Sequence, residues 1–302
     1  LSCWGNDADL YAEMLAVAYP AIKAADPQAT VLMGGLAHEN FQAEDNPDWR
    51  FVRYFPDQVL QEGGAANMDA LNIHAFPYFE YEWQQWTPEN PPTCGVVDDG
   101  VGQTYEAWGI DIMAKITHFR NRMSTCHQVN KPLWITETGL RGTETYERSL
   151  TEQARYAIQG NVRAVAAGAE GVIWFALSTR YSEWQHEGLL FDDWTPKPAF
   201  YAFQTLTSEL DGYSFARNLN LGSPNEAYVF RNGAGTEKTV AWTTGWGTRT
   251  LNFGSATRLR VVDREGQVSF IQDGGAGDQD GSVNGSIRLL LSMDPVFVTV
   301  ES

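Results

Sequence analysis

The sequence predicts an α/β protein in which parallel β/α units are followed by an antiparallel β-sandwich. Three observations predict it. Up to about residue 212, short apolar stretches of strand length alternate with longer segments of helical period. From Tyr213 onward the helical period stops, and short apolar runs are joined by Gly-rich turns. Within the first region lies Lys131-Pro-Leu-Trp-Ile-Thr-Glu-Thr-Gly139, a short strand that ends in a carboxylate.

The elements follow in order. Asn6 or Asp7 caps a first helix whose apolar face is Leu10, Met14, Leu15, Val17 and Ala18, and Asp26-Pro27 ends it. Thr30–Met33 is a strand running into Gly34-Gly35. Trp49–Gln61 is helical and closed by Gly63-Gly64; Asp69–His74 is the next strand. A long loop rich in Pro, Trp and acids runs from Ala75 to about Gly102, before a helix over Tyr105–Arg122. Leu133–Glu137, Leu150–Ala167, Gly171–Ala176 and Pro198–Leu210 are then strand, helix, strand and helix, with a second long loop from Leu177 to Trp194. Strands are expected at Ala227–Phe230, Thr239–Trp242, Thr248–Phe253, Leu259–Val262, Val268–Ile271, Ser286–Leu291 and Val296–Val300. The domain boundary falls near Tyr213, giving residues 1–212 and 213–302. Four β/α units make half of a TIM-type (β/α)8 barrel, which needs eight strands and about 250 residues.

Composition narrows the function. A formal net charge of −17 over 302 residues, with no Lys/Arg cluster, argues against nucleic acid and anionic membranes. No apolar run is long enough to span a bilayer and the first residues do not form a signal peptide. A soluble protein is expected, secreted or not. Cys3, Cys94 and Cys126 lack metal-ligand spacing. A Cys94–Cys126 bridge would clamp the loop after His74, and free thiols are the alternative. No phosphate loop, Gly-x-Ser-x-Gly elbow or His-Glu-x-x-His motif occurs, and no cofactor is expected. Asp273–Gly281 has oxygen ligands that suit calcium, but also the composition of a turn between strands, and no metal is assigned to it. Trp83, Trp86, Trp184 and Trp194 fall in loops, where flat aromatic faces suit sugar rings or plain packing.

Strand alternation puts Leu133, Ile135 and Glu137 on one face and Trp134 and Thr136 on the other. Burying an ionised carboxylate without a partner is costly, so a strand ending this way suits the mouth of a pocket. The bland alternative is an acid that caps a helix or pairs with an arginine.

The order of motifs resembles the second half of clan A glycoside hydrolases, notably relatives of family 39. Trp4-Gly5, Tyr11–Ala25 and Thr30–Gly35 resemble the stretch after their fourth barrel strand. Asp69-Ala-Leu-Asn-Ile-His74 resembles the sixth strand, Pro132–Gly139 the seventh and Gly171-Val-Ile-Trp-Phe-Ala-Leu177 the eighth. Gly188–Ala202 is similar to the turn into the last helix, and the terminal β-domain ending in Pro295–Val300 also fits. The resemblance implies retaining O-glycosidase chemistry with Glu137 as nucleophile. It also implies a carbohydrate ligand, of xyloside or related pyranoside type, met by His74, Tyr78, Trp174 and Trp184. His74 would donate to a sugar hydroxyl or orient Glu137. The family's Asn-Glu pair, whose glutamate is the acid/base, has no counterpart before the first helix; Asn225-Glu226 lies in the β-domain. Glu39, Glu80, Glu82, Glu183 and Glu187 stand in loops above the strands, where each is either a substitute acid or a solvated charge. Half a barrel exposes two sheet edges, so a homodimer that closes the barrel is expected. The alternative function is a catalytically impaired carbohydrate-binding half-barrel completed in that way.

Overall fold

The computed structural model describes residues 7–36, 55–76, 112–144, 147–178, 186–245 and 249–301. The chain divides into two compact units, Leu1–Gly139 with Ala167–Phe175 and Leu140–Ala166 with Ala176–Ser302. Among the described residues, no helix is long and apolar enough to cross a membrane.

The first unit is built on a parallel sheet of β1 (Leu71–Ala75), β2 (Leu133–Thr138) and β3 (Ala169–Trp174), in that spatial order. Parallel neighbours need crossovers, and the helices supply them. Leu71, Ile73, Leu133 and Ile135 are buried in its centre. The strand expected at Thr30–Met33 is reduced to two parallel bridges, Leu32 to Ala70 and Leu36 to Ile73, so the chain still runs along the free side of β1.

Helix α1 (Ala8–Ala25) starts at Asp7, whose carboxylate accepts from the Leu10 amide at 2.9 Å. Its buried stripe is Ala8, Tyr11, Ala12 and Leu15, while Leu10 and Val17 are exposed, which corrects the apolar face read from the sequence. Positions 8, 11, 12 and 15 keep the helical period as well as the Leu-Val stripe does; small Ala side chains and one Tyr hid it. The helix is tied to the sheet by Asp69, which accepts from Lys23 at 2.7 Å, the Tyr19 hydroxyl at 2.8 Å and the Val31 amide at 2.7 Å.

Helices α2 (Phe55–Gln61) and α3 (Ile112–Asn121) complete the described part of this unit, with one π-helical stretch at Arg122–Cys126. The start of the helix expected at Trp49 and that expected at Tyr105 lie outside the described residues. Cys126 is disulfide-bonded, and the chain's other cysteines, Cys3 and Cys94, lie outside the described residues.

The second unit holds α4 (Glu147–Ala166), α5 (Pro198–Leu210) and strands β4 to β11. These are Tyr213–Asn218, Asn225–Asn232, Glu237–Thr243, Arg249–Gly254, Arg258–Val262, Val268–Gln272, Ser286–Leu291 and Val296–Glu301. Six form one sheet in the order β4-β5-β6-β11-β8-β9, and β10 pairs with β7 in a second, both antiparallel. Leu251, Phe253, Ile287, Leu289 and Leu291 of the small sheet share one core with Ala227, Ala241, Leu259, Val261, Ile271 and Val298 of the large one, which makes a sandwich. The seven expected strands are all present, and β4 is an eighth. Helix α4 is fastened to it by Arg163, which donates to Glu226 (Nε to Oε2 2.9 Å), and by Arg155, which donates to Asp294 at 2.8 Å. Helix α5 is held through Glu209, paired with Lys238 at 2.6 Å and Arg260 at 2.9 Å.

The Asp273–Gly281 turn uses its carboxylates on its own backbone. Asp278 accepts from the amides of Gly274 and Arg288, and Asp273 from those of Asn284 and Gly285. This is how a tight Asx-type turn satisfies itself.

Candidate active site

The site is assembled where β1 and β2 end. Along this pair, Leu71 faces Leu133, Asn72 faces Trp134 and Ile73 faces Ile135. The next partner of His74 would be Thr136 in a regular ladder. Instead His74 faces Glu137, because β2 carries one extra residue at this point. The same irregularity shows against β3, where Ile135 faces Val172 and Thr138 faces Trp174.

The extra residue, Thr136, has a fixed place. Its amide and its hydroxyl both donate to Oδ1 of Asn72, at 3.2 and 2.9 Å. Asn72 is 5% exposed, so its amide oxygen is a buried anchor for the bulge. Asn72→Leu removes the acceptor and strands both donors, which is expected to cost about 1–3 kcal/mol. Urea unfolding checks it, and stability within a few tenths of wild type would show that the bulge holds itself.

The bulge places Nδ1 of His74 3.2 Å from Oε2 of Glu137. The Glu137 side chain is 36% exposed and that of His74 20%. Burial raises the Glu137 carboxyl above its ordinary value. Burial, and secondly the Lys115 ammonium, hold His74 below the ordinary imidazole value. Both shifts oppose charge on these groups, and the two side chains meet as a close polar contact. The carboxylate is thus oriented, partly desolvated and still reachable.

Trp174 ends β3 opposite Thr138, one residue past Glu137, and is buried. Tyr78 and Trp184 lie outside the described residues, as do Glu39, Glu80, Glu82 and Glu183. Glu187 is not a solvated loop charge: it is 1% exposed and accepts from Arg141 Nε at 3.2 Å. Glu226 is likewise engaged, with Arg163 and the Tyr228 hydroxyl. Despite the cost of burial, the hydrogen bonds and charge of Arg163 hold its carboxyl below the ordinary value. It is kept ionised and has no proton to give.

The second unit has a cavity of about 410 Å³ lined by Thr143, Glu144, His186, Asp192 and Lys197 among others. Lys197 is 1% exposed, and burial pushes it down to about 8. Its ammonium donates to the carbonyls of Gly142 and His186 at 3.0 Å each, so it works as a clamp between two loops.

Two contributors escaped the sequence reading. Lys115 is a buried cation on an otherwise ordinary helix, and Gly35 had the look of a strand terminator. Neither carried a spacing signal that ties it to His74.

No family model and no curated protein matches the sequence. The structure does find matches. A family 39 glycoside hydrolase from Bacteroides cellulosilyticus WH2 superimposes with a TM-score of 0.66 at 23% identity, covering 96% of this chain and 55% of that one. The chain has a glycoside hydrolase fold. A family 51 arabinofuranosidase from Xanthomonas axonopodis pv. citri matches with a TM-score of 0.61 at 8% identity, over 98% of this chain and 63% of the other. A family 39 β-xylosidase from Caulobacter crescentus gives 0.51 at 16%, over 97% and 62%. The chain spans about half the length of the first of these glycoside hydrolases and under two thirds of the other two. The fold class expected from the sequence, parallel β/α units with a β-sandwich, is the one these structures share.

Proposed function

We propose that the chain is the nucleophile-bearing part of a retaining O-glycosidase, with Glu137 attacking the anomeric carbon. The supporting observation is the Glu137–His74 contact at the C-terminal ends of two neighbouring parallel strands. A barrel presents its chemistry at that end. The reaction needs two carboxyl groups about 5–5.5 Å apart. Glu137 forms the glycosyl ester as the bond to the leaving oxygen breaks. Water then cleaves the ester and frees the carboxylate. Nδ1 of His74, 3.2 Å from Oε2, orients the attacking carboxylate. Trp174, Tyr78 and Trp184 are assigned to the sugar site, with xylosides or related pyranosides as the substrate class.

The second carboxyl, which protonates the leaving oxygen, is not assigned within these 302 residues. Glu226 and Glu187 are committed to arginines. The acid/base is supplied by one of the loop glutamates Glu39, Glu80, Glu82 and Glu183, by another chain, or by residues beyond this sequence. The test is a substrate contrast on the 302-residue chain. Aryl glycosides with activated leaving groups need little proton donation, so they are expected to turn over. Alkyl glycosides are expected to react slower by on the order of 10²–10⁴-fold, the usual contribution of general acid catalysis. Equal rates on the two, corrected for binding, would sink the assignment of a lone nucleophile. Sugar binding without any turnover would favour the binding half-barrel.

A further inference from the structure

We propose that Gly35 is a positioning residue for the Glu137–His74 pair: its bare Cα is the seat against which the imidazole is wedged. The inference rests on the reading of Glu137 as nucleophile and deepens it. A Cβ built on Gly35 would lie 2.7 Å from Cε1 of His74 and closer still to Cδ2 and Nε2. The whole Nε2 end of the ring therefore abuts this backbone, while Nδ1 at the other end meets Glu137 at 3.2 Å. The imidazole is held end to end between a glycine and a carboxylate.

The backbone at Gly35 has little room to retreat. The Gly34 amide donates to the Tyr11 hydroxyl at 2.7 Å, and Tyr11 is itself buried on α1. On the other flank, the Leu36 amide donates to the Asn72 carbonyl at 3.2 Å, and the Leu36 carbonyl accepts from the His74 amide at 2.8 Å. Gly35 is thus fixed by bonds to the helix on one side and to β1 on the other. The φ angle at Gly35 is not in the left-handed region, so glycine is required here for space and not for a left-handed turn. A methyl group at this position displaces the imidazole, and Nδ1 leaves the carboxylate.

Gly35→Ala is the test, read in two ways on the full chain. The first readout is the set of imidazole ¹⁵N shifts, which report the nitrogen that carries the proton. Wild type is expected to show His74 as the Nδ1–H tautomer, and Gly35→Ala to shift it toward the Nε2–H form that free imidazole favours. The second is aryl glycoside turnover, where kcat is expected to fall by up to on the order of 10²-fold with KM changed less, the range for a misplacement of about 1 Å. His74→Ala removes the clash. Gly35→Ala added to it is therefore expected to cause no further loss and to fold, even where the single Gly35→Ala variant does not. Gly233→Ala, at a glycine with nothing within 4 Å of a built Cβ, is the control. An unchanged His74 tautomer and turnover in Gly35→Ala would overturn the proposal. So would an equal loss in the wild-type and His74→Ala backgrounds. Should Glu137→Gln retain turnover, the nucleophile reading falls by itself, and the ¹⁵N shifts still decide whether Gly35 seats His74.

Discussion

Glu137→Gln is expected to lower aryl glycoside turnover by on the order of 10⁴-fold, in line with the loss of a group that makes the covalent bond. The variant keeps the shape of the side chain and its place beside Nδ1 of His74. It loses only the negative charge that attacks. Burial disfavours that charge in the folded protein, so removing it is expected to leave stability unchanged or slightly higher. The pairing of the two outcomes is diagnostic. A structural carboxylate gives the opposite pattern, with folding harmed and chemistry spared. Turnover within about tenfold of wild type, or a lower unfolding midpoint in urea, would remove Glu137 from the nucleophile role.

The largest expected effect on stability is at Asp57, far from β2 in sequence. Its carboxylate is 3% exposed and accepts from Arg122 Nε at 2.9 Å and from His127 Nε2 at 2.8 Å. These bonds staple α2 to the π-helical stretch after α3. Arg122 is itself 8% exposed. Asp57→Ala takes away the carboxylate to which the buried guanidinium donates, at an expected cost of about 3–5 kcal/mol. Urea unfolding measures it, and a loss under about 1 kcal/mol would show that the guanidinium finds compensation. Acidification acts on the same region. His118 is held well below the ordinary imidazole value, first by burial and then by Arg122. The unfolded chain therefore takes up a proton near the ordinary value that the folded chain refuses. Stability is complete above that value and falls as pH is lowered beneath it. His118→Phe is expected to flatten this slope.

Much of the fold was legible in the residues. The alternation up to residue 212 marked the parallel strands, and each described strand except β4 falls within a few residues of its expected place. Leu133–Glu137 was read as a strand ending in an acid, and it ends at Thr138. Less legible were features in which two readings share one period. The buried stripe of α1 was misplaced because Ala8, Tyr11 and Ala12 are no more apolar than their neighbours. Glu187 looked solvated because nothing local marks the approach of Arg141 from 46 residues away.

By itself, the sequence determined that a carboxylate stands at the end of a buried strand and that a histidine ends the strand before it. The alternation expected there, with Glu137 on the face of Ile135, is broken by the bulge at Thr136: Ile135 and Thr138 are buried, and Glu137 faces His74. Only the tertiary structure decided that His74 and Glu137 meet. Their pairing depends on an extra residue in β2, on the Asn72 amide that holds it, and on a glycine 39 positions before His74. Register between strands is set by hydrogen bonds and contacts across the sheet, and a shift of one residue would have turned the acid away from the imidazole.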